Sequence, residues 1–439
     1  MPWTVQQVLA LAPDAGSAKA GRDLASPRRW GLLGASERAL WGECQGSGKH
    51  PYQVKIDLDE PAFACTCPSR KFPCKHGLGL MLLSIEAPEA VARALPPAWV
   101  AEWLEKRAGR TEKRQQKTEQ TPDPAAQAKR VQQREAKITA GLVELELWLS
   151  DAVRGGLAAL QGRSFADWET IAARMVDAQA PGLARQLRTM AGVVASGEQW
   201  PSRLLDRLAR LYLLIEGYRR LDAQDAEVCA DLRSAVGWTV SQDEVLRGAG
   251  VRDTWLVVGQ RTREEDRLQV NRTWLWGSAS ERAALLVTFT PMGVPASAPA
   301  IPPGIALEAE LVFFPGASPL RALVRERFGQ PDSLARLPGH GSIRAGLAAW
   351  GAALGRNPFI ETFPLGLAGV VPVFAGGRLH LRDSEGSGLP VAPGFATSWQ
   401  MLALSGGRPL DLFGEWDGES FLPLSAFAEG RFVVLEKSA

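Results

Sequence analysis

The sequence predicts a multi-domain α+β protein, and three changes of pattern along the chain predict it. A cysteine-rich segment near the N-terminus lies between alternating strand patterns and an apolar helix pattern. The middle of the chain repeats apolar residues at helical spacing, and the last part returns to short, mostly antiparallel strands. These changes place an N-terminal module at 1–105, a basic flexible linker at 106–124, a helical region at 125–248 and a mostly β region, in one or two subdomains, at 249–439.

In the N-terminal module, we expect helices over 4–11 and 15–24, β structure over 30–63 and an apolar helix over 77–85, and residues 99–105 end the module. A glycine-rich turn after Cys44 makes the β structure a hairpin. Its second strand shows a clean period of two, in which apolar and polar side chains alternate from Tyr52 to Leu58. This hairpin leads directly into the cysteine cluster.

In the helical region, apolar residues recur from Val131 to Val153, and Pro181 and Pro201 separate the later helices. The β region has a helix over 342–354, and Pro372 makes its strand an edge strand, because proline cannot donate to a sheet. The strands that we predict there are 254–258, 268–276, 284–290, 306–314, 370–374, 378–382, 401–404, 410–416 and 431–435.

Composition narrows the class of protein. The 439 residues are 46% apolar and carry a formal net charge of +2, so bulk charge does not make the chain a polyanion binder. The N-terminus lacks the features of a signal peptide, and no apolar run approaches the roughly 18 residues that a membrane-spanning helix needs. Five cysteines are too few to be the disulfide scaffold of a chain of this length. We therefore expect a soluble cytoplasmic protein that does not enter a membrane.

Three cysteines and one histidine lie within twelve positions. Cys65, Cys67, Cys74 and His76 have the spacing C-x-C-x6-C-x-H, and zinc prefers four such sulfur and nitrogen ligands in a tetrahedron. Four protein ligands leave no position for a catalytic water, so we predict one structural Zn²⁺. The alternative, scattered buried cysteines beside a surface histidine, is disfavoured because lysines and arginines flank the cluster.

Basic residues surround this cluster. Arg70, Lys71 and Lys75 either favour the thiolate forms of the cysteines or contact nucleic-acid phosphates or a partner, and the sequence leaves both roles open. From 105 to 137, ten Lys and Arg residues face five acids, an excess of five positive charges. Because no aromatic residues interrupt the basic run in 106–117, we favour a flexible tether there over a nucleic-acid site.

The remaining candidates have simpler interpretations. Trp255, Trp274 and Trp276 could form a stacking platform, but core packing is favoured. Arg272 shares their face, so it either points outward at an edge or pairs with an acid such as Glu265. Cys44 and Cys229 are predicted to be buried thiols, and the lone histidines His50, His340 and His380 receive no catalytic role.

Motifs of catalysis are missing from the sequence. There is no GxSxG, HExxH, GxGxxG after a strand or GxxxxGK[ST], and the acids form no obvious pair. We predict that the chain is not an enzyme and has no small-molecule substrate. An enzyme whose site lies in the large, Trp-containing β region is the lowest-ranked alternative.

The cysteine motif, with the hairpin before it and the helix CKHGLGLMLL after it, resembles the SWIM zinc finger. The opening LAPDAGSAKAGRDLA, the core CTCPSRKFPCKH and the Trp-rich strands resemble bacterial SWIM zinc-finger proteins of this length. The resemblance implies a β-hairpin and helix around one zinc, and a role in DNA binding or protein interaction.

The resemblance further implies partnership with a MoxR-type AAA ATPase or a von Willebrand A-domain protein. Since this sequence has neither a phosphate-binding loop nor a clear DxSxS motif, it would be a partner of such machinery and not its motor. The leading hypothesis is thus an adaptor with protein partners. The alternative is a nucleic-acid-binding protein that uses the zinc module with Arg70, Lys71 and Lys75.

Overall fold

The computed structural model describes residues 5–12, 15–46, 50–58, 62–69, 71, 73–107, 124–194, 197, 199–265, 268–291 and 301–435. The chain forms two compact units. The first comprises Met1–Pro122, Glu264–Val270 and Phe289–Ile301, and the second comprises Asp123–Arg263, Asn271–Thr288 and Pro302–Ala439. Most of the predicted flexible linker, residues 108–123, lies outside the described residues. No helix within the described ranges is long and apolar enough to cross a membrane.

Among its described residues, the first unit combines a four-stranded antiparallel sheet with four α-helices. The sheet is a meander in the order β1-β2-β3-β4, so the expected hairpin is the centre of a wider sheet. The elements are α1 (Val5–Ala10), α2 (Ala15–Asp23), β1 (Trp30–Ala35), β2 (Ala39–Cys44), β3 (Tyr52–Asp57), β4 (Ala62–Cys65), α3 (Lys75–Glu86) and α4 (98–107).

Helix α3 is the centre of this unit. Its residues from His76 to Ser84 are all buried, as expected for a helix that is apolar on every side. The β3 residues Val54 and Ile56 pack in the same core, with Val8 of α1. Helix α2 crosses α3 closely, because a Cβ on Gly79 would lie 2.7 Å from the Cβ of Leu24 and 3.1 Å from the Gly21 carbonyl oxygen.

The second unit begins with a helical bundle. A capping box at Ser164 starts α7, a proline near the first position starts α8 and α9, and Gly237 in the left-handed region ends α10. The helices are α5 (Pro124–Arg154), α6 (Leu157–Gln161), α7 (Phe165–Asp177), α8 (Pro181–Val193), α9 (Trp200–Arg219), α10 (Ala226–Val236) and α11 (Gln242–Leu246).

Two glycines of the bundle provide a matched test of packing. Alanine is a better helix former than glycine by up to about 1 kcal/mol. At Gly192 a Cβ meets nothing within 4 Å, so Gly192→Ala should be neutral or slightly stabilising. At Gly141 a Cβ would lie 2.4 Å from the Cβ of Ala178, so overpacking should make Gly141→Ala destabilising by about 1–2 kcal/mol. Urea unfolding measures the change in the free energy of unfolding of each variant. Equal changes in the two variants would contradict this account of the Gly141 contact.

Two sheets follow the bundle in the second unit. The first has the order β7-β6-β5-β8-β9 and the second β12-β11-β10-β13-β14-β15. The first sheet consists of β5 (Gly250–Glu265), β6 (Leu268–Gly277), β7 (Ala283–Pro291), β8 (Ile305–Phe313) and β9 (Ala322–Ser333). The second consists of β10 (Phe363–Ala375), β11 (Arg378–Arg382), β12 (Gly388–Pro390), β13 (Leu410–Trp416), β14 (Phe421–Ala428) and β15 (Arg431–Val434), with helices α12 (Ile343–Arg356) and α13 (Ser398–Ser405). The predicted multi-domain α+β class is confirmed.

Two local predictions in this region need correction. Residues 401–404, predicted as a strand, lie in α13, because Met, Leu and Ala are good helix formers and Gly406, with φ 51°, ends the helix. The strand that contains Pro372 is not an edge strand, since β10 lies between β11 and β13. Its two halves differ, however: 363–370 pair with β13, whereas the described pairs of 371–375 are with β11.

The tryptophans of β5 and β6 belong to the core, as favoured. Trp255 and Trp274 are fully buried, and Trp276 is partly exposed. Arg272 does pair with an acid, but the acid is Glu415 of β13 and not Glu265, which is exposed. The buried Glu415 also accepts hydrogen bonds from Arg261 at 3.0 Å and from the Trp274 indole at 2.9 Å. Glu415 therefore links the two sheets.

Candidate metal centre

The strand β4 and the turn after it position the first two cysteines. Cys65 ends β4, opposite Val54 of β3. Thr66 continues the pairing, because its N–H donates to the Gln53 carbonyl oxygen at 3.1 Å and its hydroxyl accepts from the Gln53 N–H at 2.9 Å. Cys67 follows immediately. The chain is thus held to β3 at Cys65 and at Thr66, the residue between the two cysteines.

The start of α3 positions the other two candidate ligands. Cys74 is the N-cap residue, with extended backbone, and its carbonyl oxygen accepts the first helical hydrogen bond, from Leu78. His76 is in the first turn, and both side chains are buried. The helix starts at Lys75, two residues before the predicted 77, and its first turn directs both side chains toward β4.

The four side chains converge on one point. Their ligand atoms all lie within 4.8 Å of one another. The Nδ1 atom of His76 is 3.8 Å from the Cys65 sulfur and 3.9 Å from the Cys74 sulfur. Zinc–ligand bonds of about 2.3 Å to sulfur and about 2.0 Å to nitrogen in a tetrahedron would separate sulfur and nitrogen by about 3.6 Å. The cluster therefore fits one Zn²⁺ with four protein ligands.

Backbone amides support the three sulfurs. The backbone N–H of Cys67 donates to the Cys65 sulfur, and the N–H of Ser69 donates to the Cys67 sulfur. The N–H of Gly77 donates to the Cys74 sulfur. Each of these bonds lowers the pKa of the thiol that it reaches, because it favours the thiolate. The Cys74 sulfur gains further from its place at the N-terminus of α3, where the helix dipole is positive.

The thiols of the metal-free cluster share protons unequally. A hydrogen bond from the Cys65 thiol lowers the pKa of Cys74 to about 4, and the same bond raises the pKa of Cys65. Burial raises the pKa of Cys67. At neutral pH, Cys74 is therefore the thiolate, while Cys65 and Cys67 hold their protons.

Zinc binding should consequently release about two protons per chain at pH 7. Because Cys65 and Cys67 have raised pKa values in the metal-free chain, the apparent zinc affinity should rise with pH across the neutral range and fall on acidification. Calorimetric titration in buffers of different ionisation enthalpy measures the number of protons. Release of none would contradict the assignment of thiols as the ligands that lose protons.

Tyr52 is a component of the site that the sequence analysis missed. Its ring centroid lies 5.0 Å from that of His76, with the planes tilted by 47°. The sequence pattern could have indicated this contact, because Tyr52 lies on the same face of β3 as Val54 and Ile56, and that face packs against α3. The phenol ring thus limits how the imidazole can turn and covers part of the metal site.

The basic residues around the centre are only partly described. Lys71 and Lys75 are exposed, and Arg70 lies outside the described residues. Arg29 was missed: it is exposed, and burial raises the pKa of Cys44 while the charges of Lys75 and Arg29 partly oppose that rise. Hydrogen bonds and burial, not these cations, are the main causes of the pKa shifts of the ligand thiols.

The other cysteines and histidines lie apart from the site. Cys44 is fully buried, as predicted, whereas Cys229 is only partly buried and donates to the Leu221 carbonyl oxygen. His50 is exposed, and His340 and His380 are partly buried in the second unit. In the part of the chain that the structure describes, the four-residue cluster is the one group of three or more Cys, His, Asp or Glu that could hold a metal ion.

Comparisons with known proteins match two segments of the chain. Residues 52–84 match the family model of the SWIM zinc finger, and residues 133–236 match that of the SWIM-associated four-helix bundle domain. The first contains all four candidate ligands, and the second spans most of α5 and ends with α10. No curated protein and no solved structure matches the chain.

Proposed function

The chain is a SWIM zinc-finger protein, and from this premise we propose that it is a non-enzymatic adaptor whose zinc finger presents a surface to a protein partner. The closed metal centre supports this proposal most directly. All four positions of the zinc tetrahedron are filled by Cys65, Cys67, Cys74 and His76, so the metal organises β4 and α3 and has no position for a substrate. Both exposed lysines lie among the proposed ligands in the sequence: Lys71 between Cys67 and Cys74, and Lys75 between Cys74 and His76.

The bundle domain supports an interaction role independently. Several large apolar side chains of the bundle point into solvent, among them Phe165, which is 74% exposed, and Leu147, which is 63% exposed. Exposed apolar residues scattered singly are common, whereas a contiguous patch of them marks an interaction site, and we propose that these side chains contribute to such a patch. The partner that we propose is a MoxR-type AAA ATPase or a von Willebrand A-domain protein.

The adaptor proposal is tested with purified proteins. The zinc-loaded chain is mixed with the MoxR-type ATPase and the von Willebrand A-domain protein of the same cell, and complex formation is followed by size-exclusion chromatography and calorimetry. We expect a stable complex with one of them, weakened at least about tenfold by Lys71→Glu with Lys75→Glu, because rim charges contribute to recognition. The matched control is Lys19→Glu, an exposed lysine of α2. Absence of binding to either protein would contradict the proposed partner.

Nucleic-acid binding is the second candidate function, and one observation favours it. Lys71 and Lys75 are exposed cations among the zinc ligands in the sequence, and Arg29 is an exposed cation near Cys44, in a chain whose net charge is only +2. If these cations contact phosphates, binding of short DNA or RNA duplexes should weaken steeply as the salt concentration rises. The slope of the logarithm of the affinity against the logarithm of the salt concentration should fall in magnitude by about two when both lysines become glutamate. Lys19→Glu should leave the slope unchanged. No binding at low salt would remove this candidate.

A further inference from the structure

A cavity of about 730 Å³ opens in the second unit, and none of its lining residues belongs to the zinc site. The turn before β7, the loop between β8 and β9, the segment before α12, α12 itself and β10 surround it. Cavities of about 300–1,000 Å³ are the usual size of small-molecule sites. The adaptor function makes no use of this cavity.

A glycine of β10 shapes one wall of this cavity. A Cβ on Gly366 of β10 would lie 2.1 Å from the Pro338 carbonyl oxygen, so only glycine lets the 337–341 segment lie against the strand. The His340 N–H then donates to the Gly366 carbonyl oxygen, and the Ala368 N–H donates to the His340 carbonyl oxygen, both at 2.9 Å. The glycine-rich segment Pro338-Gly339-His340-Gly341 therefore fixes a histidine at the cavity wall.

The next feature of this wall is the imidazole ring of His340. It is partly buried, and within the described residues its ring nitrogens have no hydrogen-bond partner. Burial lowers the pKa of His340 below its ordinary value, so the ring is neutral at pH 7. A neutral imidazole offers the cavity one hydrogen-bond donor and one acceptor.

Two arginines give the cavity a positive charge. Arg282 and Arg356 both line it, and neither has a carboxylate within ion-pair distance among the described residues. Arg282 lies against Phe313, with the guanidinium carbon 4.0 Å from the ring centroid, which limits its movement. Glu281 is the one acid of the lining, so the wall carries a net charge of +1.

A second cavity of the same unit, of about 510 Å³, shows that this arrangement is not a general property of the surface. It also contains arginines, but Arg185 pairs with Glu361, Arg203 with Glu419 and Arg210 with Asp206. With four arginines and four acids in its lining, its net charge is zero. The first cavity thus differs in having arginines without such partners beside apolar walls, which include Trp276, Phe363 and Phe413.

We propose that this cavity binds a small organic anion, in which one acidic group contacts Arg282 and Arg356 and an apolar or aromatic body packs against Trp276, Phe363 and Phe413. His340 contributes a neutral hydrogen bond to the body of the ligand. The described lining has no cluster of acids or histidines that could activate a nucleophile, so the site binds and does not catalyse. The proposal is independent of the adaptor function.

Fluorescence titration of the zinc-loaded full chain with anilinonaphthalene sulfonate tests the proposal. This probe has an aromatic body and one anionic group, and phenylnaphthylamine is the same ring system without the sulfonate. We expect saturable binding of the sulfonate at about one site per chain. Arg282→Gln with Arg356→Gln should weaken the sulfonate at least about tenfold, because a charged hydrogen bond is lost, and should leave the neutral probe unchanged.

Two further variants separate the cavity from other sites. Arg344→Gln removes an exposed arginine of α12, the helix that contains Arg356, and Arg344 does not line the cavity. This variant should change the affinity for neither probe. Ala349→Trp places an indole in the cavity and should abolish binding of both probes while the thermal midpoint stays within a few degrees. Equal affinity for the two probes, insensitivity of the sulfonate to the double arginine variant, or no saturable binding would each overturn the proposal.

Discussion

Cys74→Ser should release the bound zinc and unfold the first unit of the chain. Serine does not replace a thiolate ligand, and Cys74 is also the N-cap residue of α3, around which the core of this unit is built. Structural zinc contributes about 10–16 kcal/mol to such modules, whereas a domain is stable by only about 5–15 kcal/mol. We therefore expect zinc to fall from one per chain to almost none, and the slowly exchanging amides of β3 and α3 to lose protection.

A matched control for this change is Cys229→Ser. Cys229 lies in α10, outside the metal cluster, and its thiol donates to the Leu221 carbonyl oxygen, a bond that a serine hydroxyl can keep. Metal analysis and hydrogen exchange should find this variant unchanged. In Cys74→Ser, the helices and sheets of the second unit should keep their protection. Stoichiometric zinc in the Cys74→Ser protein would show that the ligand assignment is wrong.

Glu415→Ala is the second change from which we expect a large effect. Glu415 is 5% exposed and accepts hydrogen bonds from Arg261, Arg272 and the Trp274 indole. Its removal takes this acid away from two partly buried guanidinium groups, and breaking a buried ion pair in this way costs about 3–5 kcal/mol. The thermal midpoint of the second unit should therefore fall by roughly ten degrees, as calorimetry can measure.

An exposed ion pair of the same region calibrates this effect. Glu308 pairs with Arg252 at 3.7 Å, and both side chains are more than half exposed, so Glu308→Ala should cost less than about 1 kcal/mol. Glu415→Gln should lie between the two, because the amide oxygen can still accept from Trp274 but carries no charge. If Glu415→Ala is no more destabilising than Glu308→Ala, the buried acid does not hold the two sheets together.

The parts of the structure that the sequence predicted well depend on neighbouring residues. The ligands Cys65, Cys67, Cys74 and His76 lie within twelve positions, and their spacing alone indicates the metal. The alternation from Tyr52 to Asp57 likewise predicts β3, since a period of two has only one regular structure. In both cases the information is contained in one short segment.

The parts that were missed depend on residues far apart in the chain or on patterns too short to be decisive. Arg272 and Glu415 are 143 positions apart, and no local signal connects them, so Glu265 was the reasonable guess. The apolar run 401–404 suits a buried strand as well as a helix, and only the backbone turn at Gly406 separates the two. Arg29 precedes the metal ligands by more than thirty positions, and the sheet brings it near Cys44, which itself interacts with Cys67 and Cys74.

The packing of α1, α2 and β1 on α3 determines how much of this chain has to be transferred when its finger is grafted onto another protein. The segment that matches the finger, 52–84, carries all four ligands but leaves behind Val8, Trp30 and Leu40, which cover the apolar residues of α3. A graft limited to that segment would bind metal but leave the apolar surface of α3 exposed to solvent. A graft that starts with α1 and ends with α3 would carry its own cover and remain soluble, so the segment to transfer is about two and a half times as long as the matched segment 52–84.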